Sequence, residues 1–124
     1  MIYLIIYFLL VHWVSDFLLQ TRHMANRKSE SWYYLTVHVG VYSISTTFLW
    51  WIGLLVDGAS LTLFTMPLVF ICVFIPHFCT DYVTSRLTKK FHKQDNMYKF
   101  FSTLGFDQWL HHAALIVTYK FLIL

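Results

Sequence analysis

The sequence predicts an all-α fold: an integral membrane four-helix bundle that forms one domain over residues 1–124. The first observation is composition, because 58% of the 124 residues are hydrophobic, 20% are aromatic and only 12% are charged. A typical soluble domain has about 45–50% apolar and about 25% charged residues, and a chain this short cannot hide such an apolar surplus in one core. The second observation is a set of four apolar stretches near the roughly 20 residues that a helix needs to cross a bilayer.

The four predicted helices cover about residues 2–20, 32–56, 61–86 and 100–124. A short polar segment, residues 21–31, joins the first two helices. A tight turn at Asp57 and Gly58, residue types typical of turns, joins the second and third. A longer basic segment, residues 87–99, joins the third and fourth. Pro76 lies inside the third helix, where it frees a backbone carbonyl that a neighbouring group must satisfy.

The distribution of lysine and arginine predicts an orientation. Eight of the nine lie in segment 21–31 or from the end of the third helix to Lys99, and Lys120 is the exception. Cytoplasmic loops are enriched in these residues, so we expect loops 21–31 and 87–99 in the cytoplasm and both termini on the opposite side. The net charge of +3 is too small to indicate a nucleic-acid partner.

The two halves of the chain contain a repeated pattern. Segment 12–17 (HWVSDF) matches segment 77–82 (HFCTDY) position by position as His, aromatic, small apolar, hydroxyl, Asp and aromatic. Further along, His38 aligns with His111. We therefore expect each half to form a helical hairpin that carries His, Asp and His, with the two hairpins packed as a parallel repeat.

Seven ionisable residues from all four predicted helices are expected at one level in the cytoplasmic half of the bundle. They are His12, Asp16, His38, His77, Asp81, Asp107 and His111. Each lies about four to eleven residues from the cytoplasmic end of its helix, which is one slab at the helical rise of about 1.5 Å per residue. Three His/Asp pairs have the four-residue spacing that places both members on one helix face.

Four histidines and three carboxylates form a ligand set that zinc, manganese and iron prefer. Three ligands from each hairpin and a bridging Asp107 suit two divalent ions. One of the three aspartates, Asp16, Asp81 or Asp107, is a candidate general base in place of a ligand. Because each buried aspartate costs about 2.5–3.5 kcal/mol at mid-bilayer, a purely structural network is disfavoured. His112 can replace His111, although the spacing from Asp107 favours His111.

These residues predict a metal-dependent hydrolase that acts at the cytoplasmic membrane interface on a lipid-linked or phosphoester substrate. A metal-ion or proton transporter or channel could use the same His/Asp cluster at the repeat interface. A di-iron membrane oxidase is a further alternative. The thin core of four helices favours contacts with membrane lipids and a homo-oligomer, although no GxxxG-type motif supports one.

The motifs together resemble the domain of unknown function 3307 family of small bacterial and phage membrane proteins. The resemblance rests on the run 12–21, on Lys28-Ser29 and His38, on 77–82, and on 106–111. It implies a location in the bacterial inner membrane and a polar site. The His/Asp pattern is also similar to that of membrane-bound metal-dependent hydrolases, which use paired His and Asp side chains on helices.

Overall fold

The computed structural model describes residues 2–59, 62 and 64–122. This part of the chain contains helices and no strands, so the prediction of an all-α fold is confirmed. In chain order the helices are α1 (Ile2–Leu18), α2 (Arg22–Arg27), α3 (Trp32–Val56), α4 (Thr65–Lys93) and α5 (Met97–Leu122). Residues 61 and 123–124, the predicted outer ends of two helices, lie outside the described residues.

The four long helices are arranged as a ring. Helix α3 contacts α1 and α4, and α5 contacts α4 and α1, while the short α2 packs on α3. Two of these helices, α3 and α4, are long and apolar enough to cross a membrane. The ring encloses one interior that all four long helices line.

Helix α1 changes its winding before it ends. It is α-helical over Ile2–Trp13 and continues as one π-helical turn over Val14–Leu18, closed by a bond from Leu19 N to Val14 O at 3.0 Å. A π turn widens the helix and redirects the side chains that it carries, and such turns are frequent at functional sites. The side chain of Asp16 lies in this turn and is buried.

The first connecting segment, predicted as a plain loop over residues 21–31, contains helix α2. Thr21 caps this helix, because its hydroxyl accepts a hydrogen bond from Met24 N at 3.2 Å. Met24 is buried and anchors the short helix. The sequence reading missed α2 because six residues are too few to show a helical period. The segment following α2 carries Lys28 to the open end of the ring.

The second basic segment, predicted as a loop over residues 87–99, is mostly helical. Helix α4 continues to Lys93 because this stretch holds good helix formers and neither Gly nor Pro. Two residues after the helix, Asp95 has a φ of 52°, which lets Asn96 N donate to Phe91 O at 2.9 Å and closes the end of α4. Asn96 then accepts from Lys99 N at 3.1 Å and caps α5, so only three residues join the two helices.

Helix α4 passes through Pro76 without a break. Proline lacks the N–H that would bond to the carbonyl four residues earlier, which here belongs to Cys72. The hydroxyl of Thr118 on α5 lies 3.5 Å from Cys72 O. This hydroxyl donates its proton to Ala114 O at 2.9 Å, so it lies beside the freed carbonyl as a polar neighbour and does not replace the lost hydrogen bond.

An apolar cluster fills the end of the ring away from α2. Phe8 and Trp50 are at its centre, with ring centroids 4.3 Å apart, and Leu54 and Val69 are buried beside them. Next to this cluster α1 approaches α3 closely, because Gly53 leaves room for the ring of Tyr7.

The Gly53→Ala substitution is expected to destabilise the fold. Its methyl group would overlap the Tyr7 ring, whose hydroxyl donates a hydrogen bond to Leu49 O at 2.7 Å. Overpacking of this kind costs about 1–3 kcal/mol of unfolding free energy, measurable by denaturation in detergent.

Gly40→Ala in the same helix is the matched control, because its methyl group would meet no atom within 4 Å. Alanine is about 1 kcal/mol better than glycine inside a helix, so this variant should be neutral or more stable. Equal losses in the two variants would contradict close packing at Gly53.

Candidate metal centre

All seven ionisable residues predicted for the site are buried inside the ring, at the end nearest α2. They are His12, Asp16, His38, His77, Asp81, Asp107 and His111. Helices α1, α4 and α5 each contribute a His/Asp pair four residues apart, with N–O separations of 3.6–3.8 Å, and α3 contributes one histidine. The sequence pattern therefore locates a real convergence of side chains from four helices.

Four ligand atoms meet around His38 on α3. The Nε2 atom of His38 lies 3.2 Å from Asp16 Oδ1, 3.1 Å from Asp81 Oδ2 and 3.3 Å from His77 Nε2. The His77 Nε2 atom is 3.5 Å from Asp16 Oδ1 and 3.6 Å from Asp81 Oδ2. Ligands at about 2.0–2.1 Å from a tetrahedral zinc ion are about 3.3–3.4 Å apart. These four residues are hereafter the His38 set. Three of them, Asp16, His38 and His77, bring ligand atoms within 4.8 Å of one another, as the ligands of one metal ion do.

The same two carboxylates face a second group of nitrogens with their other oxygens. Asp16 Oδ2 lies 3.8 Å from His12 Nε2, and Asp81 Oδ1 lies 3.7 Å from His111 Nε2. His12, Asp16 and His111 bring ligand atoms within 4.8 Å of one another, as do His77, Asp81 and His111. Asp16 and Asp81 thus stand between the two groups, the position that bridging carboxylates take in sites with two ions.

Asp107, which the sequence predicts as the bridge, lies at the edge of the cluster instead. Its carboxylate accepts hydrogen bonds from Thr84 Oγ1 at 2.5 Å and from Gln108 Nε2 at 2.9 Å. The Nδ1 atom of His111 lies 3.6 Å from Asp107 Oδ2. The close contact between α4 and α5 holds Asp107 against Thr84, so it cannot extend between the two ligand groups.

The choice between His111 and His112 favours His111. Its side chain is buried and stacks on His77, with ring centroids 4.1 Å apart and an interplanar angle of 13°. His112 is half-buried and its ring packs edge-on against His12. Among the described residues, His111 belongs to two of the ligand groups and His112 to none.

Several buried atoms of the cluster lack a hydrogen-bond partner in the described part of the chain. They include Asp16 Oδ1 and both ring nitrogens of His111. Leaving a buried polar atom unpaired costs about 1–3 kcal/mol. A bound cation would satisfy the carboxylate oxygen and one imidazole nitrogen at the same time, so these residues fit a divalent metal ion.

One cation of the chain reaches into the cluster. Lys28 Nζ donates to Asp81 Oδ2 at 2.7 Å and lies 3.4 Å from His38 Nε2. Burial alone would lower the pKa of this ammonium group, but the carboxylates of Asp81 and Asp16 outweigh burial and raise the pKa above its ordinary value. With neutral histidines, three carboxylates and one ammonium leave two negative charges uncompensated, so the cluster favours the binding of cations.

A second layer of side chains holds His12. The Gln108 amide donates to Asp16 Oδ2 at 3.4 Å, so its carbonyl oxygen faces His12 Nε2 at 3.0 Å and accepts that proton. The opposite nitrogen of His12 then accepts from the Tyr42 hydroxyl at 2.9 Å. The Tyr42 ring also stacks on His77 with centroids 3.8 Å apart. Partners of this kind fix the tautomer and the orientation of metal-binding histidines.

Sequence reasoning missed Lys28 and Tyr42 as members of the site. Lys28 belongs to a segment on which the family resemblance rests, but the positive charge of loop cations is explained by membrane orientation alone, so Lys28 was given no role in the site. Tyr42 had a usable signal, because it follows His38 by four residues and therefore lies on the same face of α3.

Replacing Lys28 by methionine is expected to strengthen metal binding and weaken the metal-free fold. The ammonium group occupies the neighbourhood of Asp81 and His38, where it competes with a metal ion. Without it the metal-free protein keeps a buried, unpaired charge at a cost of about 1–3 kcal/mol, and divalent-ion affinity should rise about tenfold. Zinc titration and denaturation in chelator measure the two effects.

Arg22→Met is the matched control, because it removes one positive charge from the exposed start of α2. Zinc affinities that are equal in the two variants would show that Lys28 does not compete with the ion.

The comparisons with known proteins agree with the family suggested by the sequence motifs. A family model described as "Protein of unknown function (DUF3307)" matches residues 4–124. No curated protein and no solved structure shows a significant match to the chain. Since the match covers nearly the whole sequence, including every residue of the His/Asp cluster, the protein belongs to the DUF3307 family.

Proposed function

We propose that this protein is a membrane-embedded, metal-dependent hydrolase that acts at the cytoplasmic membrane interface on a lipid-linked or phosphoester substrate. The observation that carries the proposal is the His38 set. Its two carboxylates and two imidazoles come from three helices and are buried, and each imidazole Nε2 lies 3.1–3.6 Å from the other Nε2 and from an oxygen of each carboxylate. A cavity of about 480 Å³ reaches Asp81 and Asp107 from outside the ring.

The distribution of polarity supports membrane insertion. Among the described residues, the buried polar side chains are four histidines, three aspartates and six hydroxyl residues, which is one more than the twelve buried hydrophobic side chains. The outer surfaces of α1, α3, α4 and α5 instead expose large apolar side chains, among them Leu10, Ile44, Phe48, Ile75 and Ile116. Soluble proteins do not expose apolar surface on this scale, and lipid would cover it.

The charges support the proposed orientation. The end of α4 extends beyond the site as an exposed basic segment that includes Lys90 and Lys93. Together with the cations of segment 21–31, these charges mark the face of the ring next to the His/Asp cluster. The rule that cytoplasmic loops are basic assigns this face, and with it the opening of the cavity, to the cytoplasm.

Hydrolysis needs a nucleophile and a group that takes its proton. A bound divalent ion lowers the pKa of its water ligand and polarises the ester or phosphoryl group. Asp16, His38 and His77 would hold the metal, and a set of three protein ligands leaves a position open for water. Asp107 lines the cavity beside this set, and the hydrogen bonds from Thr84 and Gln108 hold its carboxylate in place. We assign Asp107 the role of general base.

Transport of protons or metal ions is the second candidate, and one observation favours it. The hydroxyl oxygens of Ser43, Thr46 and Thr47 on α3 are buried without hydrogen-bond partners and continue from the cluster towards the far end of the ring. The apolar packing of Phe8 on Trp50 lies across this direction. A pocket open on one side suits an enzyme better than a channel.

The orientation is testable with single cysteines. Lys90→Cys, at the basic end, is expected to react with a membrane-impermeant maleimide only from the cytoplasmic face of membrane vesicles. Ala59→Cys, between α3 and α4, should react only from the opposite face. The native Cys72 and Cys79 are replaced by alanine in both variants. Reaction of both positions from one face would exclude the proposed arrangement.

Elemental analysis and hydrolysis assays test the proposed function. The purified protein is expected to hold about two zinc, manganese or iron ions per chain, and to hydrolyse at least one member of a panel of lipid esters and phosphoesters. His77→Ala and Asp81→Ala should lose metal and activity together. Asp107→Asn should keep the metal and lose about 10²–10⁴-fold in turnover, because it removes only the proton acceptor.

His23→Ala is the matched control, since His23 is exposed and its ring contacts Tyr34 outside the cluster. It should retain both metal and activity. A metal-loaded protein that hydrolyses no member of the panel would contradict the hydrolase proposal. Metal or proton flux into liposomes would then support the transporter, and an iron-dependent optical band would support the oxidase.

A further inference from the structure

A cavity with polar walls lies between the segment after α2, the end of α4 and the start of α5. Its volume is about 480 Å³, within the range of about 300–1,000 Å³ of ligand pockets. Asp81 and Asp107 of the site form its floor. A molecule in this cavity would therefore contact the proposed metal centre directly.

The walls above the floor are cationic and rich in hydroxyl groups. Lys28, Lys89 and Lys93 line the cavity together with His92, and the only carboxylates among its lining residues are the two on the floor. Ser29, Ser85 and Thr88 add hydroxyl groups. Ammonium and hydroxyl groups that converge on one cavity are the donors that bind phosphate oxygens.

Membrane orientation does not explain the placement of these lysines. The topological rule needs positive charge anywhere on the cytoplasmic side, and Lys90 and Lys99 satisfy it from exposed positions outside the cavity. The other three lysines of this region instead face one cavity from two different elements. One of them, Lys28, also donates to the Asp81 carboxylate at 2.7 Å and so connects the cavity to the ligand cluster.

One of the cavity lysines, Lys89, has an anionic partner in Glu30. Glu30 is exposed and forms an ion pair with this lysine. The hydrogen bond and the charge of Lys89 hold the pKa of this carboxyl below its ordinary value. Glu30 therefore stays ionised at neutral pH and competes for Lys89 with any anion that enters the cavity.

We propose that this cavity is a phosphate-binding subsite, in which Lys28, Lys89 and Lys93 hold the phosphate group of the substrate above the metal centre. The assignment rests on the proposed function and narrows its substrate to phosphate monoesters and diesters. The phosphate oxygens would face the lysines at the mouth, and the bond to be cleaved would face Asp81 and Asp107. The phosphate would come from a phospholipid headgroup or from a water-soluble ester.

Binding of two probes to the full-length, metal-free protein in detergent micelles tests this subsite. Isothermal titration with inorganic phosphate reports the soluble source. Native mass spectrometry with phosphatidic acid, compared with phosphatidylcholine, reports the lipid source. The Lys89→Gln/Lys93→Gln double variant is expected to bind about tenfold more weakly, since hydrogen bonds to charged groups contribute that much or more. Glu30→Gln should bind more tightly, because it frees Lys89.

Lys90→Gln/Lys99→Gln is the matched control. It also removes two positive charges from this region, but from positions outside the cavity. The affinity of this variant for either probe should change less than about twofold, as expected for exposed charges screened by salt. A selective loss in the first double variant with either probe supports the subsite and identifies the source of the phosphate. Equal losses in the two double variants, or no binding of either probe by the wild type, would overturn it.

The result is independent of the proposed hydrolase activity. The binding measurement uses neither metal nor turnover. A negative result would therefore contradict the phosphate subsite and would not bear on the metal centre. Elemental analysis reports the metal centre separately. In that measurement the Lys89→Gln/Lys93→Gln protein should carry the same metal as the wild type.

Discussion

The structure depends on the burial of three carboxylates in a ring of apolar helices. Each aspartate is stable there only with positive charge or hydrogen-bond donors around it, because an unpaired charge cannot be left in such surroundings. Four histidines and Lys28 converge on Asp16 and Asp81, while Thr84 and Gln108 satisfy Asp107. Because these partners come from every long helix and from the segment after α2, the polar cluster fixes how the helices face one another.

The remaining packing follows from an interior that is polar at one end and apolar at the other. In the membrane that we propose for this chain, helices would gain little from apolar burial, so close fit would matter more. The fit of Tyr7 against Gly53 and the packing of Phe8 on Trp50 close the apolar end. These contacts leave the cluster accessible from the α2 end, where the lysine-lined cavity lies.

Much of this arrangement could be predicted from the sequence, because helical periodicity and depth depend only on residue spacing. The four-residue spacing of the His/Asp pairs and the level of His38 predicted which side chains converge. Spacing carries no information on contacts made across the chain, so the position of Lys28 and the placement of Asp107 against Thr84 were out of reach. The helical end of α4 was missed for another reason: a basic composition suggests a loop, although lysine is a good helix former.

Within the proposed function, the two halves of the cluster differ in what a metal ion must displace. The His38 set offers two Nε2 atoms that already face each other at 3.3 Å. A metal ion there would displace the ammonium of Lys28 and the contacts of His38 Nε2 with the carboxylates of Asp16 and Asp81. The other half includes His12, whose two nitrogens are both engaged, by Tyr42 and by Gln108. An ion binding there must break one of these contacts, a cost of about 1 kcal/mol or more. Asp16 and Asp81 each turn one oxygen towards either half of the cluster. A metal ion held by one half would therefore orient the carboxylates that the other half needs, so the two halves would be coupled through these two aspartates.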